Sequence, residues 1–511
     1  MTSLERQDGN MYGNDKEPRY SILTYTWGRW EVANGPHLNV SGTSWKIPAI
    51  DAQHFFVDAF LRIIKLMGVV ERLEAAWVDV ACIDQENHAV KMDEIGRQVG
   101  IFANAEGVYL WLSHLTTATL QSSWTEIFVW SGSVSKALGR QLGPEVHGVL
   151  QRLKNAITTL LGDPWFSSLW MLQEGILRRD AMLLSREADP IVDEHSASRF
   201  IIYLYFLSHA LYELRLSLLD PFYAFEEQPD LKQLSDDIII QIEKAGYTTA
   251  SFSRNPNVQY TAARHRQTRD QLDLIYGIMS IYDVRVGGAA GGANISPTTP
   301  YTLGALEDEF AGAINAASPA IGQLFVHRRR PKANRTWRIT QDIRVPEELA
   351  TTHAIECDPR CRIAATPLGH ADVRGRICAL SDVFGRWGSP SEESRRGELR
   401  ETYFSVLVDD YLCEDHAVLR PGVLEPYIHS NAQRVRRAHG LVPALLDVFG
   451  RENVSVLLLG QEMDENPIPD QSDDWVLRLN TFGLILVHDG LERRQTRRLE
   501  PRWDNFEGQV F

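Results

Sequence analysis

Cysteine is scarce and odd in number: five thiols among 511 residues cannot all pair with one another. No charged-then-apolar leader accompanies them, since the opening MTSLERQDGNMYGNDKEPRY is polar throughout, so reduced thiols and a cytoplasmic setting are expected. Uninterrupted apolar runs are also lacking. The richest stretch, RFIIYLYFLSHALYELRLSLLDPFYAF, is broken by His209, Glu213 and Arg215, which predicts a packed helix and no membrane span. Positive charge is short, with 52 Lys and Arg against 67 Asp and Glu and a net charge of −15. That balance argues against a nucleic-acid partner, because phosphate backbones need a positive field. The basic runs HRRRPKANR from His327 and RVRRAHG from Arg434 read as solvated loops or helix faces. Neither a Gly-x-x-x-x-Gly-Lys phosphate loop nor a Gly-x-Ser-x-Gly elbow occurs. Cys357 and Cys361, near His353 and His370, have an admissible zinc spacing. No second pair completes the set, and Cys378 and Cys413 are scattered, so no metal is expected. Cys82, which could be imagined as a nucleophile with His88 or His114, lacks an evident orienting group and reads as a packing residue.

What is present is an alternation of periods. AIDAQHFFVDAFLRIIKLMG spaces Phe56, Ala59, Phe60, Ile63, Ile64 and Met67 by threes and fours, which predicts an amphipathic helix stopped at Gly68. Ile95, Val99 and Phe102 predict another. Strand and helix signals alternate from Tyr20 to about Ser185, where AMLLS forms the last strand, and this predicts a parallel sheet with helices on both faces. The interposed segment 116–161 reads as helical. The expected organisation is a disordered segment 1–18, an α/β domain 19–187, a helical region 188–285, a Gly/Ala-rich linker 286–300 and a mixed α+β region 301–511. In that last region CRIAATPL, RGRICAL and VSVLLLG read as strands.

Three stretches concentrate aromatic and ionisable residues. In AWVDVACIDQ, residues 76–83 have strand length and apolarity, yet Asp79 sits within them, where a carboxylate is costly unless bonded or functional. Asp84 and Gln85 follow at the expected strand exit. In YSILTYTWG, a strand runs into Tyr25, Trp27 and Gly28. If the two strands are parallel, both exits share one edge, and the crevice outside the carboxyl ends of parallel strands is where ligands bind. In DPWFSSLWMLQE, Asp163 is a good N-cap and Pro164 suits the first helical position, and helical spacing puts Phe166, Trp170 and Glu174 on one stripe beside Gln173. The plain alternative is a packing stripe, with Glu174 paired to Arg178.

Taken together, these stretches resemble the heterokaryon-incompatibility (HET) domain of filamentous fungi. The resemblance rests on Tyr25 to Gly28, on Trp77 through Gln85, on Glu94 with Gln98 and Val99, on Trp111 with Leu112, and on Trp165 through Glu174. It covers about the first 185 residues, and RDQLDLIYGIMSIYD, from Arg269, looks like a segment that often follows. HET domains in turn resemble TIR domains, which implies a TIR-like (flavodoxin-like) fold and, in enzymatic members, a glutamate that cleaves NAD. Trp170 and Glu174 match the TIR Trp-Cys-x-x-Glu signature, with Met171 in place of Cys. The resemblance implies an innate-immunity or programmed-cell-death role. NAD would be a substrate of a possible NAD hydrolase rather than a resident cofactor. Glu174 would be the catalytic residue, with Tyr25, Trp27, Gly28, Asp79, Asp84, Gln85 and Trp170 around the substrate. The alternative is a non-enzymatic module acting by self-association or by binding another protein.

Overall fold

The apolar run ending at Thr24 becomes the second strand of a four-stranded parallel sheet, with a neighbour on each side. A computed structural model of the chain describes residues 6–7, 11–12, 14–16, 18–33, 35, 40–73, 75–131, 145–194, 199–219, 228–246, 255–290, 301–332, 335–345, 357–366, 368–387, 443–462, 481–487 and 504–510. These pack as two units, Met1–Phe252 with Ala262–Leu306, and Ser253–Thr261 with Glu307–Phe511.

In the first unit the strands are β1 (Tyr20–Thr24), β2 (Ala75–Trp77), β3 (Gly107–Trp111) and β4 (Met182–Leu184). Their order across the sheet is β2-β1-β3-β4, all parallel. That is the order of the flavodoxin-like doubly wound sheet, whose connections reverse direction between β1 and β3. Successive side chains point to opposite faces. Leu23, Tyr25, Tyr109, Trp111, Met182 and Leu184 join one core cluster with Phe60, Ile63 and Met67 of helix α1 (Val57–Glu71). Thr24 points the other way.

The remaining elements of the α/β domain are α2 (Asp79–Cys82), α3 (His88–Gly96), α4 (Gln98–Asn104), α5 (Thr117–Ser131), α6 (Glu145–Leu161) and α7 (Leu169–Leu177). Three expectations are corrected. Helix α1 passes through Gly68 and ends in a left-handed turn at Arg72 (φ 55°), because one internal glycine costs only about 1 kcal/mol against alanine. The strand expected over 76–83 stops at Trp77, and Asp79 opens a single helical turn in which the Ala81 and Cys82 amides bond to the Val78 carbonyl. The helix expected to run unbroken from Pro164 is instead a 3-10 turn, Pro164–Ser167, capped by Asp163, and then α7. Ser168 between them is extended (φ −84°, ψ 136°), so Phe166 does not share a stripe with Trp170 and Glu174.

After β4 come α8 (Leu204–Leu219), α9 (Pro229–Ala245) and short turns from Asp273 to Ala290. Helix α9 ends on Gly246 (φ 75°), a left-handed C-cap where a Cβ would come within 2.5 Å of the Ala262 Cβ. Within the N-terminal segment, Arg6–Gln7, Met11–Tyr12 and Asp15–Lys16 form a small antiparallel sheet. Residues 291–300 of the expected linker, the basic run from Arg434, and His353 and Cys413 lie outside the described residues.

The second unit carries a six-stranded antiparallel sheet. Its central strands, Val454–Glu462 and Ala371–Ala379, are flanked by Cys357–Pro359, Arg362–Ala365, Thr481–Val487 and Asp504–Val510. A buried ion-pair group sits beside it in sequence: Arg338 meets Asp308 at 2.5 Å and Glu307 at 2.9 Å. No helix among the described residues is long and apolar enough to cross a membrane.

Candidate functional site

The carboxyl ends of β1 and β2 bring two acids together. Asp79 lies one residue past the exit of β2 after Val78, where its Oδ1 accepts the Val80 amide (2.7 Å) and its Oδ2 accepts the Trp27 indole N–H (2.5 Å). The Tyr25 hydroxyl is buried, faces the same carboxylate and has no other acceptor. Burial pushes the Asp79 carboxyl up to about 6, against the pull of the Trp27 and Tyr25 donors. Glu174, in the second turn of α7, is only 5 % exposed. Burial first, and the neighbouring Asp79 charge second, raise its carboxyl well above the ordinary range, while Thr24 opposes the shift. No cation pairs with either acid among the described residues. Arg178, the plain partner for Glu174, binds Asp180 (2.7 Å) and the carbonyls of Phe102 and Ala105 instead.

Thr24 joins the two sides of the site. Its hydroxyl accepts the Trp165 indole N–H (2.9 Å) and lies 3.4 Å from the Met171 sulfur, so the end of β1 fixes both the 3-10 turn and α7. Two residues along α7, the Gln173 side-chain amide Nε2 donates to the side-chain Oε1 of Gln98 on α4 (2.8 Å). That bond accounts for the two glutamines as a buried brace.

A distant stretch of chain completes the support. Arg266, 6 % exposed, donates to the carbonyls of Trp165 (3.2 Å), Ser168 (3.3 Å) and Ala245. Gln267 and Ser168 form a parallel bridge, with Gln267 N to Ser167 O at 2.7 Å and Leu169 N to Gln267 O at 3.1 Å. Arg269 reaches back to the Gly28 carbonyl (2.9 Å) and to Glu31 (2.8 Å). Arg266 and Gln267 were not singled out in the sequence, and only the resemblance at Arg269 pointed toward this region.

The other predicted residues are placed as follows. Gly28 begins a 3-10 turn, and a Cβ there would meet open space, so packing does not require glycine. Trp170, on α7, donates to Asp273 (3.3 Å) rather than joining the acid pair. Asp84 caps the turn into α3 by accepting the amides of Glu86 (3.0 Å) and Asn87 (3.1 Å). Gln85 is half-buried in that turn. Tyr25, Trp27, Asp79 and Glu174 therefore converge, whereas Asp84, Gln85 and Trp170 serve neighbouring turns and helices. His370, part of the metal spacing, lies 3.9 Å from Asp372, and no cluster of three or more metal-ligating side chains occurs among the described residues.

A doubly wound parallel sheet with Asp79 at a strand exit and the buried Glu174 close to it defines the α/β domain. Residues 20–174 match the family model described as Heterokaryon incompatibility protein (HET), so the chain carries a HET domain, which supports a function related to heterokaryon incompatibility. No curated protein and no solved structure matches the chain.

Proposed function

We propose that the HET domain binds NAD at the β1 and β2 exits and hydrolyses its nicotinamide–ribose bond, as a trigger of an incompatibility or cell-death response. The observation that carries this reading is that Asp79, bonded by Trp27 and faced by Tyr25, and the buried Glu174 lie close enough to act on one another's charge, with no basic partner among the described residues. Two buried carboxyls without a counter-cation form a site suited to a cationic group, and the nicotinamide ring of NAD carries a positive charge. A pyridinium beside Glu174 favours the ionised form of that acid. The bond breaks with its electron pair passing to the nicotinamide nitrogen, and positive charge develops on the ribose, where a fixed carboxylate stabilises it. Water then adds at that carbon and gives up a proton, leaving ADP-ribose and neutral nicotinamide. In this reading Trp27, whose indole N–H holds Asp79, covers the ring.

Purified full-length protein incubated with NAD is expected to release nicotinamide, and Glu174→Gln to stop the release while the near-UV circular dichroism stays unchanged. Undiminished release by the variant removes Glu174 from the chemistry. A second reading, favoured by the 5 % exposure of Glu174, is an interaction module whose acids are interior polar groups and which acts by self-association or partner binding. Under that reading neither protein releases nicotinamide, even at concentrations where the wild type self-associates.

A further inference from the structure

A second cluster lies on the other side of β1, at the exits of β1 and β3. Trp30 follows β1, His114 follows β3, and His54 precedes α1. The His54 ring stacks on the Trp30 indole at 4.8 Å and the His114 ring at 5.2 Å. The two imidazoles meet through His54 Nδ1 and His114 Nε2 at 3.2 Å, so in the neutral pair one N–H donates to the other ring. Their outward nitrogens, His54 Nε2 and His114 Nδ1, have no partner among the described residues. Only one of these carries a proton while the pair is neutral. A single added proton turns both into outward donors, and the 3.2 Å contact excludes a second.

Cationic groups surround the pair. The Arg29 guanidinium lies 5.7 Å from the Trp30 ring centre, bonds the neutral oxygens of Ser167 (3.1 Å) and Gln267 (3.2 Å), and among the described residues feels the Asp163 charge without bonding it. The Arg186 guanidinium lies 5.7 Å over Phe56, which is the N-cap of α1 and supplies no side-chain acceptor to that helix's first amides. The acidic groups near by are Glu187, paired with Arg186 at 3.1 Å, Asp58 in the first turn of α1, Asp163, whose carboxylate accepts the His114 amide at 3.0 Å, Asp51, whose backbone bonds those of Trp30 (2.9 Å) and His54 (3.1 Å) and whose carboxylate accepts the Gln53 amide (2.8 Å), and Glu31, paired with Arg269 at 2.8 Å. His114 is held below the usual imidazole range by burial, then by His54, Arg29 and Arg186.

We propose that Arg29, His54 and His114, seated on Trp30 with the open N-terminus of α1, form the subsite for the pyrophosphate of a dinucleotide. The position is the point where the strand order reverses, the standard ligand crevice of a doubly wound sheet, and a helix N-terminus adds backbone donors there. The inference rests on the NAD reading and gives it polarity: the acid pair at β1 and β2 takes the cationic ring, and this cluster takes the anionic bridge. Binding draws a proton onto the histidine pair and is therefore tighter at lower pH.

The test uses the full-length protein, with the imidazole proton resonances as readout and ADP-ribose, inorganic pyrophosphate and adenosine as probes. ADP-ribose and pyrophosphate are expected to shift the His54 and His114 signals, and adenosine to leave them in place. Arg29→Gln and His114→Gln are each expected to weaken ADP-ribose binding by about tenfold, the effect of one charge-assisted hydrogen bond. Arg29→Lys should recover part of the loss, and unchanged melting temperatures show that the variants are folded. Affinity for ADP-ribose should rise by about threefold or more from pH 7.5 to 6.5 in the wild type and stay flat only in the double variant His54→Gln/His114→Gln, since either imidazole left alone still takes up a proton. ADP-ribose binding that leaves both imidazoles unmoved, or that both variants keep in full, overturns the proposal, as does pyrophosphate binding with no binding of ADP-ribose. The two readings fail separately. Absence of nicotinamide release with these shifts intact removes the cleavage reading alone, and release with an unchanged KM in both variants removes this subsite alone.

Discussion

Asp79 gives the domain a pH signature with a definite sign. Its carboxyl is raised to about 6 in the folded chain, above the value of about 4 of an unfolded chain. The group therefore favours the fold fully below about 4, and that contribution is lost as pH rises through about 6. Asp163, also raised to about 6 by burial, acts in the same direction. Asp79→Asn keeps an acceptor for the Trp27 indole and is expected to flatten the fall in melting temperature between pH 5 and 7, as thermal scans across that range would read. If Glu174 works as a carboxylate, nicotinamide release should climb with pH over a range displaced upward from that of an ordinary carboxyl, because burial stabilises its acid form. Gly28→Ala probes the approach of a ligand: it meets open space, so stability is expected to hold within about 0.5 kcal/mol. Weaker ADP-ribose affinity in that variant would place the ligand against the Gly28 backbone.

Helix α7 owes its place to groups outside itself. Arg266 holds three carbonyls at the turn between the 3-10 segment and the helix. Arg266→Met is expected to destabilise the protein by about 2–4 kcal/mol, since it strands buried acceptors of charge-assisted bonds. Trp165→Phe, which removes the bond to Thr24 and leaves a void where the fully buried indole packed, should cost about 1–3 kcal/mol. Denaturant titration orders the two. The alternation of periods made the strands, their parallel arrangement and α1 legible in the sequence, because a buried strand and an amphipathic helix each leave a pattern within a few residues of chain. The break at Ser168 left none: it arises from pairing with Gln267, about a hundred residues later, which overrides the helical preference of the local run. The single turn at Asp79 was hidden in a similar way, since four apolar residues can serve a strand or a helical turn equally well. The pair Asp79 and Glu174 could be anticipated as strand-exit acids, whereas the stack of Trp30, His54 and His114 joins three loops whose sequences carry no shared signature.

At the scale of the molecule, the family match ends at residue 174 while the packing of the domain does not. Residues 266–273 close over the 3-10 turn and α7, so a fragment ending at 187 would leave the Trp165 and Ser168 carbonyls and the Trp170 indole without their partners. A fragment 1–187 is expected to lack the cooperative melt and near-UV signal that a fragment 1–290 retains. The net charge of −15 sets the background against which the Arg29 cluster would attract an anion, so added salt should weaken ADP-ribose binding only modestly, because long-range repulsion is screened together with local attraction.

The parallel bridge between Ser168 and Gln267 turns the intervening chain into a detour that begins and ends at the same place. Lineages of such proteins can lengthen, shorten or replace the helices inside that detour without disturbing the strand-exit rim, provided the return to Ser168 survives. Divergence is therefore expected to accumulate between residues 188 and 254, and substitutions at Arg266 and Gln267 to be as rare as those at Trp165.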